Sequence, residues 1–183
     1  MQGDVQLDAK GLACPMPIVK TKKAMDSLQE GQILEVLATD KGSKADLAAW
    51  ADSVGHQFIG TIEEGYLLKH YIRKCSNESI EEKPFEHTIS IDELQSLESG
   101  VILDVREEVE YAFGHIEGAK SIPLGELENR INEINKDLEI YVVCRTGKRS
   151  DFAAKKLAAN GFKKVFNVVP GITAWKGNLS KNL

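Results

Sequence analysis

"IYVVCRTGKRSDFAAKKLAANGF", residues 140–162, carries an unbroken apolar run into Cys144, then five mostly polar residues with three cations, then an amphipathic stretch. A short apolar run of this kind is a buried strand, and the stretch from Ser150 to Phe162 has the spacing of a helix, so the segment predicts a strand, a tight loop and a helix. Working outward, "VILDV" (101–105) and "KVFNV" (164–168) are further short apolar runs. The helical patterns "SIDELQSL" (90–97), "EEVEYAFG" (107–114) and "GELENRINEI" (125–134) alternate with them. Buried strands separated by helices point to a mainly parallel sheet with helices on both faces, a three-layer α/β/α unit. In such sheets ligands bind beyond the carboxyl ends of the strands, which is where Cys144 falls.

The first half follows a different order. "DVQLDA" (4–9) reads as a strand, and "PIVKTKKAMDSLQEG" (17–31) as a helix with Ile18, Met25 and Leu28 inward and Gly31 as its stop. "ILEVLA" (33–38) is an apolar strand. "SKADLAAWADSVG" (43–55) is a second helix, capped by Ser43, with Leu47, Trp50 and Val54 on one face. "QFIGTIEE" (57–64) and "YLLKHYIR" (66–73) form two strands joined at Gly65. The order βαβαββ implies a two-layer sandwich with both helices on one face of a four-stranded sheet. Between the halves, "CSNESIEEKPFEHTIS" (75–90) is polar and acidic, and its apolar periodicity stops. The expected organisation is a first domain over residues 1–75, a linker over 76–87 and a second domain over 88–183. A length of 183 residues accommodates two such units.

A net charge of −5 and dispersed basic residues exclude a general nucleic-acid-binding face. No run approaches the roughly 20 apolar residues of a membrane span, and "MQGDVQLDAK" lacks the pattern of a signal peptide, so a cytoplasmic location is expected. Cys14, Cys75 and Cys144 are then expected as free thiols, and their spacing offers no metal site. After Cys144, successive backbone N–H groups of the loop can converge above the sulfur. Gly147 supplies a turn other residues resist, and Arg145, Lys148, Arg149 and the helix dipole favour thiolate. The substrate expected there is an anion with an electrophilic atom. In "GLACPMPIVK" (11–20), Pro15 and Pro17 fix a helix start behind Cys14, whose thiol would feel the positive helix pole and a basic flank of Lys20, Lys22 and Lys23.

Three stretches of the second half, "LDVREEVEYAFGHIEGAKSIPL" (103–124), "VVCRTGKRS" (142–150) and "VVPGITAW" (168–175), resemble a single rhodanese domain. The resemblance implies a sulfurtransferase in which Cys144 carries sulfane sulfur as a persulfide. Sulfur would arrive from a small anion such as thiosulfate, or from a persulfide donor protein, and leave to a thiol or another sulfur-acceptor protein. It implies that the N–H groups of 145–149 cradle the bound sulfur, with Arg145, Thr146, Gly147, Lys148 and Arg149 binding substrate. Asp104 and Arg106 are expected as a structural pair and His115 as a turn residue. Pro170 stands where relatives often have glycine, a departure expected to affect only the turn. Phosphatases on a related fold are the competing possibility, but they place arginine after cysteine and five residues. That position is Ser150 here.

"LDAKGLACPMPIVKTKKAM" (7–25) is similar to the TusA-like (SirA-like) sulfur-carrier family, whose Cys-Pro-x-Pro signature opens the first helix of a βαβαββ sandwich. That resemblance implies that Cys14 is a second persulfide carrier, supported by Pro15 and Pro17, and that the chain is a sulfur relay needing no cofactor. The alternative is a non-catalytic carrier or interaction module loaded by a partner desulfurase. Cys75 matches neither motif and is read as incidental. The sequence leaves the oligomeric state open.

Overall fold

The computed structural model describes residues 2–76 and 83–183, which fall into two compact units. In the first, strands β1 (Val5–Asp8), β2 (Ile33–Ala38), β3 (Gln57–Glu64) and β4 (Leu67–Arg73) form one sheet in the order β1-β2-β4-β3. β1 runs parallel to β2, with Val5 opposite Leu34, and the other pairings are antiparallel. Helices α1 (Met16–Asp26) and α2 (Ser43–Ser53) contribute Met25, Leu47 and Ala51 to a core shared with Leu34, Val36 and Ile72 of the sheet. This is the βαβαββ sandwich read from the sequence.

Three local expectations fail for identifiable reasons. α1 stops at Asp26, not near Gly31, because Ser27 and Leu28 tighten onto Ala24 O and Met25 O, and Lys74 Nζ takes the carbonyls of Met25 and Leu28 at 2.8 and 2.7 Å. Val54 is exposed; the buried stripe of α2 is Ser43, Leu47 and Ala51, at helical i, i+4 spacing. Ser43 is the first residue of α2 and not its cap. Its Oγ donates to Asp40 O and lies 2.9 Å from His70 Nε2, while Thr61 Oγ1 lies 2.8 Å from His70 Nδ1. With the one Ser43 hydroxyl proton committed to Asp40, Nε2 donates to Ser43 and Nδ1 accepts from Thr61. Burial pulls the pKa of His70 down to about 4, in keeping with this neutral ring.

The second unit is built on five parallel strands in the order β5-β9-β8-β6-β7: β5 (Thr88–Ser90), β6 (Val101–Asp104), β7 (Lys120–Ser121), β8 (Ile140–Val143) and β9 (Val165–Val169). Helices α3 (Ile91–Leu94), α4 (Glu108–Phe113), α5 (Leu127–Arg130) and α6 (Lys148–Ala159) flank it. β8 is central and buried along its length. Ile140 and Val142 face a core containing Leu103, Leu157 and Val165, whereas Tyr141 and Val143 face one containing Ile91, Val168 and Ile172. Ser90 and Glu93 form a capping box at the start of α3. Of the segment read as a linker, residues 77–82 lie outside the described residues. Within the remainder, Phe85 packs on the second-unit core and its N–H donates to Asp151 Oδ1 at 2.6 Å.

Candidate active site

β8 delivers Cys144 to its carboxyl end, where the side chain is buried. The loop turns at Gly147, whose φ of +91° suits glycine, and this residue is also the N-cap of α6. The sequence places the helix start at Ser150, but α6 begins at Lys148, so Lys148 and Arg149 occupy its first turn. The Gly147 N–H donates to Cys144 Sγ at 3.1 Å, and Ser150 Oγ lies 3.3 Å from the sulfur.

A second loop backs the first. Ile172 N–H donates to Cys144 O at 2.9 Å, and Thr173 donates through N–H and Oγ1 to Arg145 O at 3.3 and 3.1 Å. Asn167 Nδ2 donates to Gly147 O at 3.2 Å. Gly171, at φ +118°, lies so close beneath that a Cβ would sit 2.5 Å from Arg145 O and 2.7 Å from Cys144 O. The Pro170–Gly171 pair therefore lies directly against the cradle.

The three cations of the loop separate in space. Arg145 and Lys148 are exposed, as is Thr146, whereas Arg149 folds inward and forms a two-pronged ion pair with the buried Glu110 of α4, at 2.6 and 2.8 Å. Burial opposes the charge of Arg149, yet hydrogen bonding to Glu110 and the nearby Cys144 and Glu107 carry its pKa above the usual arginine range. Glu110 also accepts the Glu107 N–H at 3.0 Å, closing a capping box at the start of α4. Asp104 and Arg106 pair at 2.6 Å in a fully enclosed site, with Arg106 Nη2 donating onward to Gly114 O at 2.7 Å. His115 stacks on Tyr111 and its Nδ1 bonds Tyr111 O at 2.8 Å, so its ring is engaged within its own turn.

In the first unit Cys14 is exposed immediately before α1, with Pro15 as N-cap and Pro17 buried in the first turn. The basic flank does not set its electrostatics. A hydrogen bond to Asp46 of α2, with some desolvation and the charges of Asp46 and Asp40 adding, pushes the thiol up. Lys20, Lys22 and Lys23 are exposed along α1. Cys75 receives Arg73 Nη1 on its sulfur at 3.4 Å, and its N–H donates to His56 Nδ1 at 3.3 Å. Among the described residues no His, Cys, Asp and Glu cluster could hold a metal, and no helix is long and apolar enough to cross a membrane.

Residues 5–74 match the model of the TusA sulfurtransferase family, and residues 90–178 match the rhodanese-like domain. Over 181 residues the chain is 52% identical to "Putative sulfur carrier protein YrkF" of Bacillus subtilis (strain 168), covering 97% of this chain and 98% of that protein. The chain belongs to this TusA–rhodanese family. Its TusA domain alone is 42% identical to sulfur carrier protein TusA of Allochromatium vinosum, over 39% of this chain and 93% of that one. The rhodanese domain is similar to the crystal structure of a rhodanese-like domain protein from Staphylococcus aureus, 36% identical with a TM-score of 0.48, over 52% of this chain and 97% of that one. The domain pair is one of sulfur transfer in a relay.

Glu110, Asp46, Asn167 and the contact role of Gly171 are absent from the sequence reading. The Glu107–Glu110 spacing is a capping-box signal, but nothing local marks Arg149 as its partner. For the TusA domain, Asp46→Asn is expected to raise the rate of Cys14 alkylation by iodoacetamide at neutral pH about threefold or more, because removing the carboxylate increases the thiolate fraction. Mass spectrometry of the Cys14 peptide checks this; an unchanged or slower rate refutes the assigned influence of Asp46.

Proposed function

We propose that this chain is a rhodanese-type sulfurtransferase in which Cys144 takes sulfane sulfur from thiosulfate, a persulfide or a polysulfide, and Cys14 carries it onward as a second persulfide to a thiol acceptor. The observation that carries the reading is the Gly147 N–H aimed at the Cys144 sulfur at the end of a buried strand. Thiolate attack on thiosulfate forms the Cys144 S–S bond and releases sulfite. Attack on a persulfide releases the donor thiolate. Attack by a second thiolate on the outer sulfur of a protonated Cys144 persulfide then moves that sulfur and restores the Cys144 thiolate, with no redox cofactor consumed.

The roles divide between the domains. The rhodanese domain, taken as residues 88–183, loads sulfur from a small anion or donor protein, with Arg145, Thr146, Gly147, Lys148 and Arg149 forming the loop around it. The TusA domain, residues 1–75, presents Cys14 to the acceptor. A connection over 76–87 raises the effective concentration of one thiol for the other to about the millimolar range. Asp104, Arg106, Pro15 and Pro17 are supports.

The test is sulfur transfer from thiosulfate, and from an organic persulfide, to cyanide or a thiol. It compares the intact chain with Cys144→Ser and Cys14→Ser, with mass spectrometry of both cysteine peptides. Loss of turnover in Cys144→Ser, and labelled sulfur passing from Cys144 to Cys14 in the parent, support the relay. Cys14 that never acquires sulfur in a chain loaded at Cys144 excludes it. The naming of relatives as sulfur carriers favours one second reading, a carrier loaded by a desulfurase. Negligible turnover with stable loading by such a partner would establish that reading instead.

A further inference from the structure

The loop after Cys144 holds three cations in sequence, but the structure commits one of them before any substrate arrives. Glu110 is only 2% exposed, and its two carboxylate oxygens take both Arg149 Nη atoms while Oε2 also accepts the Glu107 N–H. A forked pair of this geometry is short, directional and internally neutral. At the rim Arg145 and Lys148 remain, both exposed to water and without an ion pair among the described residues. Water and salt weaken their pull on an anion, whereas the enclosed Arg149 would act at full strength if it were unpaired.

We propose that Glu110 sets the donor preference of the Cys144 site, cancelling the Arg149 charge so that the cradle takes an organic persulfide in preference to the dianion thiosulfate. The proposal rests on the reading of Cys144 as the loaded thiol. Both donors react by balanced steps. Cys144–S⁻ and S₂O₃²⁻ give Cys144–S–S⁻ and SO₃²⁻; Cys144–S⁻ and R–S–SH give Cys144–S–SH and R–S⁻. The first brings two negative charges up to a thiolate, and the second brings a donor that is neutral when protonated. Coulomb energy is linear in charge, so each cation added or cancelled beside the sulfur moves thiosulfate far more than the persulfide. Glu110 thus acts on specificity through Arg149, as a positioning residue that does not touch the sulfur.

The experiment uses the full chain carrying Cys14→Ser, so that loading reports on Cys144. Single-turnover loading is measured by mass spectrometry with thiosulfate and with 2-hydroxyethyl persulfide. The parent is expected to load faster from the persulfide, and Glu110→Gln to raise the thiosulfate-to-persulfide rate ratio about tenfold. Removing the freed guanidinium as well, in Glu110→Gln combined with Arg149→Gln, is expected to bring the ratio back toward the parent's. A merely structural role for Glu110 would slow both donors together and leave the ratio alone. A parent that prefers thiosulfate overturns the proposal even where Glu110→Gln does not fold, and so does a double variant that keeps the raised ratio. A Cys144→Ser chain that still loads would instead overturn the assignment of the thiol, a separate failure.

Discussion

Gly171→Ala is expected to reduce persulfide loading at Cys144 by about a hundredfold or more, the loss that a displacement of roughly 1 Å causes in a positioned reactive group. The added methyl would sit 2.5 Å from Arg145 O and 2.7 Å from Cys144 O, well inside van der Waals contact, at a φ of +118° that L-residues avoid. Neither obstacle yields to a side-chain rotation, because the atoms met are backbone. The cradle must therefore move, and with it the Gly147 N–H that reaches the sulfur. Loading rates measured by single-turnover mass spectrometry check this, with Cys14 alkylation as the internal control for an intact TusA domain. Loading within threefold of the parent would show that the two loops tolerate separation.

Asp104→Ala is expected to cost the rhodanese domain about 3–5 kcal/mol, because it strands a buried guanidinium. Asp104 is fully enclosed and accepts three hydrogen bonds from the Arg106 side chain and one from its N–H. A domain stable by about 5–15 kcal/mol would lose a large part of its margin. The two tryptophans make the effect assignable, since Trp50 lies in the first unit and Trp175 in the second. In urea titrations of full chains carrying Trp50→Phe or Trp175→Phe, the transition reported by Trp175 should shift to lower denaturant while that reported by Trp50 holds. An unmoved Trp175 transition would mean that Arg106 finds another partner.

The local parts of this architecture were readable because they obey short-range rules. The run into Cys144 is a strand because four apolar residues precede a charged loop, and Cys-Pro-Met-Pro opens a helix because proline tolerates a helix's first turn. What escaped depends on contacts between distant positions. Arg149 and Glu110 lie 39 residues apart, and the charge pattern around Cys144 alone suggested three available cations. Asp46 likewise reaches Cys14 only because α2 packs beside α1, and it reverses the sign expected from nearby lysines. β5 and β7, of three and two residues, are too short to show any period. Ser43 has the residue type of a cap, but the buried His70 makes it an inward-facing link.

The two thiols differ in one further respect: Cys14 is exposed and Cys144 is buried. A disulfide needs its two sulfur atoms about 2 Å apart. Two copies of the chain could join their Cys144 atoms only by opening both loops, whereas two Cys14 atoms need no such rearrangement. Burial alone therefore disfavours self-pairing at Cys144 and leaves Cys14 open to thiol exchange.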